Sequence, residues 1–301
     1  MPSTLERARE IAARPRGAPT SAPEPPVELP PGRIVHVRGR GEFFLRDTGG
    51  DGPAVLLLHG WCVSADLNWF PTYAPLAGAG YRVLALDHRG HGRGLRTPAT
   101  FRLVDCADDA AAVLRTIGVR KATAVGYSMG GPVACLLARS HQDLVTGLVL
   151  SATAPDWQEP RMKRLWHSMA GVRAVLGAFP NASWHAGLRA VGFPDSPTTT
   201  WYAAELTRGS ARDIAEAGRE LGRYDGRAWL HELRIPAAVI VTTGDTAVPV
   251  RKQRELAALL GAPAYDAPGN HGGVVAEAER FNERLLEALE RIHTASSIAV
   301  A

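Results

Sequence analysis

A chain of 301 residues, 46% hydrophobic and 21% charged, holds enough apolar material for one substantial core, and a single α/β unit plus an insertion fits it better than two independent domains. The net charge of +4 comes almost wholly from arginine, with lysine only at Lys121, Lys163 and Lys252, and the cations are interleaved with 30 acids; this describes a solvated surface and argues against a nucleic-acid partner. Three cysteines (Cys62, Cys106, Cys135) without a C-x-x-C pair, no secretory signal pattern and no long apolar run point to a cytoplasmic protein without a membrane span.

Residues 5–13 fit a short helix, but residues 15–31 carry seven prolines, so residues 1–32 read as a flexible leader. Residues 34–38 and 42–47, joined by Gly39 to Gly41, form an expected hairpin. The run AVLLL at 54–58 suits a strand covered on both faces, and His59, Gly60 and Trp61 follow it. A helix is expected over 73–79, a strand over 82–86 ending in Asp87, then HRGHGRG and an amphipathic helix over 103–117. The strand 122–125 leads into GYSMGG, a helix over 132–140 and a strand over 144–150.

From Ser151 to Ile235 the strand and helix alternation stops. Helices are expected over 161–178, 183–191, 199–206 and 213–224, and the stretch holds Trp157, Trp166, Trp184, Trp201 and Trp229. Alternation resumes with a strand over 237–243, a helix over 252–260, a strand near 264–267, PGNHGG and a helix over 276–293. Strands alternating with helices imply a doubly wound, mostly parallel sheet. Residues 33–154 and 236–294 would form its core, 155–235 a helical cap over the strand ends where ligands bind, and 295–301 a tail.

Ser128 stands between Gly126 and Gly130 in the spacing G-x-S-x-G, at the turn from a strand into a helix. A lone serine hydroxyl is a weak nucleophile at neutral pH, so it needs an imidazole to take its proton and a carboxylate to orient that imidazole. His271 sits in a glycine-rich loop after the last strand. Asp245 follows the preceding strand, with Asp156 as the alternative carboxylate. His59, His88 and His91 read as loop-packing residues, and Asp87 as the residue that fixes the HRGHG loop. Two backbone N–H groups must face the developing oxyanion, and Met129, after the serine, and Trp61, after AVLLL, are placed to supply them. No metal-ligand spacing is present, so no metal is expected. Trp61, Trp157, Trp166, Trp184 and Trp201 are the candidate pocket residues, with Trp69, Phe70 and Tyr73 beside the oxyanion loop.

With HGW after one strand, DHRGHG after the next, GYSMGG at the turn, D-x-x-V-P at 245–249 and a histidine loop before the last helix, the chain resembles the α/β-hydrolase superfamily, in its serine-dependent, capped esterase and lipase-like branch. The resemblance covers residues 33–293 apart from the cap. It implies an eight-stranded sheet, the triad Ser128, Asp245 and His271, and no cofactor. Arg93 departs from the serine usual after the DxRGxG loop, and GNHGG lacks a double glycine before the histidine. A serine at position 128 argues against the epoxide hydrolase and haloalkane dehalogenase branches, which place aspartate there. The expected reaction is hydrolysis of an apolar or aromatic ester, with carbon–carbon bond hydrolysis or perhydrolysis on the same fold, or a non-catalytic ligand-binding role, as alternatives.

Overall fold

The computed structural model describes residues 23–298; the expected helix over 5–13, most of the proline-rich leader and residues 299–301 lie outside the described residues. Eight strands form one sheet: β1 (Gly32–Val37), β2 (Gly41–Asp47), β3 (Ala54–Leu58), β4 (Arg82–Leu86), β5 (Ala122–Tyr127), β6 (Val145–Ser151), β7 (Ala237–Thr242) and β8 (Ala264–Ala267). Their spatial order is β1-β2-β4-β3-β5-β6-β7-β8. β1 and β2 are antiparallel to their neighbours, and β4 through β8 pair parallel.

Alternate residues of the apolar strands feed opposite layers, as the two-residue strand period requires. Leu56, Leu58, Leu84 and Leu86 join the layer made with α3 (Leu103–Thr116) and α4 (Gly130–Ser140). Val55, Leu57, Val83 and Ala85 join the opposite layer, which contains Trp69 of α1 (Ala65–Trp69), Tyr73 of α2 (Tyr73–Gly78) and Phe281, Leu285 and Leu289 of α12 (Ala278–Ile298). Both faces are covered, which is why these strands read as continuous apolar runs. The last helix continues to Ile298, where a tail was expected from 295.

The turn after β5 is the tightest point of the fold. Ser128 has φ 53°, a left-handed conformation that costs a non-glycine residue about 1–3 kcal/mol. Its N–H donates to Ser151 O (2.9 Å) and its carbonyl accepts from Gly131 N–H (2.9 Å). A Cβ at Gly126 would run into the Gly130 carbonyl, one at Gly130 into the Leu58 carbonyl, and one at Gly131 into the Thr153 side chain. Three glycines therefore bring α4 down onto β3 and β6 and lift Ser128 above the strand ends.

Between β6 and β7 the chain forms α5 (Pro160–His167), α6 (Met169–Ala178), α7 (Pro180–Ala190), α8 (Pro197–Thr207) and α9 (Ala211–Arg223). The single helix expected over 161–178 is two, broken at Ser168, whose hydroxyl donates to Leu165 O (2.8 Å) in place of a continuing ladder. α8 and α9 are tied to the loop after β4. Ser210 N–H donates to Gly90 O, Phe101 N–H to Glu216, and the Arg96 guanidinium to Arg208 O. Arg93 pairs with Asp66 (2.6 Å), Asp87 (3.2 Å) and Glu205 of α8 (3.5 Å), and Ser64 Oγ donates to Glu205 (3.2 Å). The arginine that departs from the family's usual serine thus joins the insertion to the core.

Three histidines pack together where β3 and β4 end. The His59 ring lies 4.3 Å from His88 and 5.6 Å from His91 between centroids, and all three are buried. His59 Nδ1 bonds Gly60 O (2.7 Å) and its Nε2 accepts from His88 N–H (2.9 Å), while both ring nitrogens of His88 are buried without a partner among the described residues. Burial pushes His59 down to about 4 and His91 to about 3, and holds His88 well below its usual value. All three are neutral when folded, whereas the unfolded chain takes up protons as pH falls through 6.5. The unfolded state then binds more protons, so stability present above pH 6.5 is lost as pH falls toward about 4.

Two outcomes are expected. Gly130→Ala gains about 1 kcal/mol of helix propensity but forces the backbone off Leu58, so a net loss of about 1–3 kcal/mol in urea unfolding is expected; unchanged stability would show that the close approach is dispensable. His88→Phe should flatten the decline in unfolding free energy between pH 6.5 and 5 by about 1.4 kcal/mol per pH unit; a slope equal to that of the parent would mean that His88 does not stay neutral in the fold.

Candidate active site

Ser128, His271 and Asp245 come from three separate strand ends and meet in one chain of hydrogen bonds. His271 Nε2 lies 3.0 Å from Ser128 Oγ, and His271 Nδ1 lies 2.8 Å from Asp245 Oδ2. Asp245, buried after β7, accepts from the N–H groups of Ala247 (2.8 Å) and Val248 (2.9 Å) through Oδ1. Its Oδ2 also accepts from Thr242 Oγ1 (3.0 Å), and buried Gln253 of α10 (Val250–Leu259) brackets that hydroxyl with its amide. These bonds leave Oδ2 one direction for His271 and fix where the imidazole stands.

His271 lies in the loop between β8 and α11 (Gly273–Ala276), and the Tyr127 hydroxyl donates to His271 O (2.8 Å). The residue before the serine thus also holds the histidine loop. Thr242, Gln253 and Tyr127 were not singled out from the sequence; Thr242 and Tyr127 sit at the ends of the strands that deliver Asp245 and Ser128, and nothing local marks Gln253, which reaches β7 only through the packing of α10.

Asp156, the alternative carboxylate, is occupied elsewhere. Lys252 Nζ lies 2.6 Å from Asp156 Oδ2, Arg227 approaches to 3.5 Å, and Gln158 N–H donates to Oδ1. This buried ion pair ties the start of the insertion to α10 and leaves Asp156 away from the imidazole.

Of the two residues expected to supply oxyanion amides, Met129 directly follows the serine and Trp61 follows Gly60, where a Cβ would lie 3.3 Å from Ser128 Cβ. Gly60 N–H donates to Asn68 Oδ1 (2.9 Å) and Ser128 N–H to Ser151 O, whereas the intervening loop and turn amides of Trp61 and Met129 take no partner among the described residues. Cys62, with φ 69°, bends the loop just after Trp61. The Trp61 indole N–H donates to Ile214 O of α9 (2.7 Å), and Gly218 on the same helix makes room for it: a Cβ there would press on Met169 Sδ and lie 3.2 Å from the Trp61 ring. One turn on, Gly222 makes room for the Trp166 ring, which meets Trp61 edge-on with centroids 5.4 Å apart.

Ser128 opens into two cavities. The larger, about 710 Å³, is walled by Trp61, Trp157, Met162, Leu165, Trp166 and Leu221, with Thr246, Ala247 and Pro249 near His271. The smaller, about 290 Å³, lies against Val63, Leu67, Phe193, Tyr202 and the histidine loop from Asn270 to Ala276. Of the five candidate pocket tryptophans, Trp61, Trp157 and Trp166 line the larger cavity. Trp184 and Trp201 line neither: Trp201 is buried against Phe70 (5.6 Å between centroids) and Tyr202, and Trp184 packs on the same cluster. Trp69 and Tyr73 are likewise core residues, with Trp69 meeting Tyr127 and Phe281. Aromatic content in the insertion reported apolar burial, but which rings face a cavity depends on how the helices dock. Among the described residues, no helix is long and apolar enough to cross a membrane.

The chain is 39% identical over 121 residues to an epoxide hydrolase B of Mycobacterium tuberculosis, a match covering 39% of this chain and only 34% of that protein's length. It is 29% identical over 270 residues to a non-heme haloperoxidase of Rhodococcus erythropolis, covering 83% of this chain and 96% of that one. Its structure superposes on a hydrolase from Pseudomonas aeruginosa PA01 with a TM-score of 0.74 at 25% identity, over 86% of this chain and 98% of the other. The family model of the alpha/beta hydrolase fold matches residues 53–271, from the glycine-rich approach to β3 through the histidine loop. With that match spanning most of the chain, and with the mostly parallel eight-stranded sheet beneath it, the protein belongs to the alpha/beta hydrolase family.

Proposed function

We propose that the protein is a serine hydrolase that cleaves a carboxylic ester of a small, largely apolar molecule, with Ser128 as nucleophile, His271 as general base and acid, and Asp245 as the orienting carboxylate. The observation that carries this reading is the unbroken path from Asp245 Oδ2 through His271 to Ser128 Oγ, with contacts of 2.8 and 3.0 Å. A serine at this position supports acyl transfer over the ring opening named for the epoxide hydrolase relative.

In this mechanism Ser128 Oγ attacks the ester carbonyl carbon as its proton passes to His271 Nε2. The carbonyl electrons move onto oxygen, which the N–H groups of Trp61 and Met129 stabilise; one such donor is worth about 3 kcal/mol of barrier. Asp245 steadies the imidazolium through Nδ1–H. Collapse breaks the bond to the leaving oxygen, which takes the proton from Nε2 and departs as alcohol. Water then repeats the sequence on the acyl-enzyme, giving its proton to His271 and releasing the acid and free Ser128. No redox partner or resident cofactor is called for in these steps. Residues 155–235 act as the cap that excludes bulk water and shapes the substrate arms, and the protein works on a dissolved small molecule in the cytoplasm, without a nucleic-acid partner.

Wild type is expected to label with a fluorophosphonate and to hydrolyse short p-nitrophenyl esters, and Ser128→Ala to lose both while keeping its circular dichroism; labelling that survives the substitution would rule out Ser128 as nucleophile. Asp245→Asn should lower kcat by about 10⁴ by favouring the wrong imidazole tautomer. A larger loss in Asp156→Asn, with folding intact, would move the carboxylate role there.

A further inference from the structure

Trp166 also lines a third cavity, of about 520 Å³, whose walls include neither Ser128 nor His271. Its walls come from α5 and α9. Lys163, Trp166 and His167 of α5 and Arg219, Gly222 and Arg223 of α9 each follow the i, i+3, i+4 spacing that places three residues on one helix face. The two faces meet where Gly222 leaves room for Trp166: a Cβ there would lie 2.7 Å from the ring. Gln158, just before α5, bridges to α9 by donating its side-chain N–H to Gly222 O (2.7 Å). The volume falls in the ordinary range for small-molecule sites.

Every ionisable side chain on these walls is basic. Two of the four have a local reason to be so. His167 and Arg223 are the last residues of their helices, where a cation meets the partial negative charge of the carbonyl end, and Arg223 also stands 3.9 Å from Glu220. Lys163 and Arg219 stand one turn earlier, where that reason fades. The charged end of neither has an ion pair or hydrogen bond among the described residues. Arg219 and Arg223 are moreover like charges at i, i+4, a spacing that works against the helix carrying them. A cleft lined by cations alone opposes the docking of the helices that form it, and a bound anion removes that opposition.

We propose that this cavity is a binding site, separate from the catalytic one, for a compact multivalent oxyanion: a phosphate monoester or a small di- or tricarboxylate, held chiefly by Lys163 and Arg219. A guanidinium offers paired N–H donors to two oxygens of one phosphate or carboxylate, and an ammonium adds a concentrated charge. Both side chains are long and engaged nowhere else, so each is free to turn onto a ligand in the cavity it lines. A neutral ligand gains nothing from this arrangement. The site stands apart from the ester-hydrolase reading, because none of its walls belongs to the serine, histidine and aspartate chain.

The test is isothermal titration calorimetry on the full chain at low ionic strength. The probes are glucose 6-phosphate and citrate, with glucose as the uncharged counterpart. Saturable binding of one or both anions, at one site per chain, is expected, with no binding of glucose; the anion preferred tells phosphate from carboxylate recognition. Lys163→Gln and Arg219→Gln should each weaken binding about tenfold, the worth of one charge-assisted hydrogen bond. Without ligand, their melting temperatures should stay level or rise, since each removes a cation from an unbalanced cluster. Arg254→Gln breaks an exposed pair with Asp266 outside the cavity and should leave affinity unchanged. No saturable binding of either anion to the folded wild type overturns the inference. So does affinity in Lys163→Gln and Arg219→Gln equal to that of wild type, or an equal loss in Arg254→Gln, which would reduce the effect to attraction by the net charge of +4.

Discussion

The site depends on a single strained turn. Ser128 is held at positive φ only because the backbone on either side is pinned: its N–H to β6, its carbonyl to Gly131, and the start of α4 against the carbonyl of Leu58. The same contacts put Met129 at the N-terminal end of α4 and bring the end of β3 against the turn, where a Cβ at Gly60 would lie 3.3 Å from Ser128 Cβ. Strain in one residue is therefore offset by packing across β3, β5 and β6. It fixes the hydroxyl within hydrogen-bonding distance of His271 Nε2, at 3.0 Å.

Around this turn the fold arranges polar groups in series, each fixed by the one behind it. Gln253 holds Thr242, Thr242 and two backbone amides hold Asp245, Asp245 holds His271 at Nδ1, and Tyr127 holds the backbone of the histidine loop. Every member before His271 in this series is buried, so each bond acts where water competes little and misplacement is costly. On the opposite side, His59 bonds Gly60 O while Asn68 takes Gly60 N–H, so the residue before Trp61 is held through both of its backbone polar groups. The neutrality of the three packed histidines is part of that grip, since burial penalises a charge on each of them.

The insertion is linked to the chemistry by one ring. Trp61 meets Trp166 edge-to-face, lines the larger cavity and donates its indole N–H to α9. Displacement of α9 would disturb the loop after β3 as well as the cavity wall. The Arg93, Glu205 and Ser64 contacts secure α8 in the same way from the other flank. The larger cavity and the loop that carries Trp61 are thus built as one unit.

The parallel sheet, the turn at Ser128 and the order of serine, carboxylate and histidine were legible because each is written in local chemistry. Two-residue alternation and continuous apolar runs define strands, small residues mark where backbone must approach backbone, and a nucleophile has to be followed by groups able to move its proton. Helix ends in the insertion were read less well, as at Ser168, where a side chain competes with the backbone ladder over a single residue. What only the tertiary structure decided is which of several chemically equal residues point where. Asp156 and Asp245 both follow strands, but Lys252 neutralises the first and only the second faces an imidazole. Four of the five tryptophans in the insertion are buried, yet Trp157 and Trp166 line a cavity and Trp201 fills a core. Burial is a property of composition and period, which the chain carries along its length. Direction is set by how helices distant in sequence dock on the strand ends, and no local pattern encodes it.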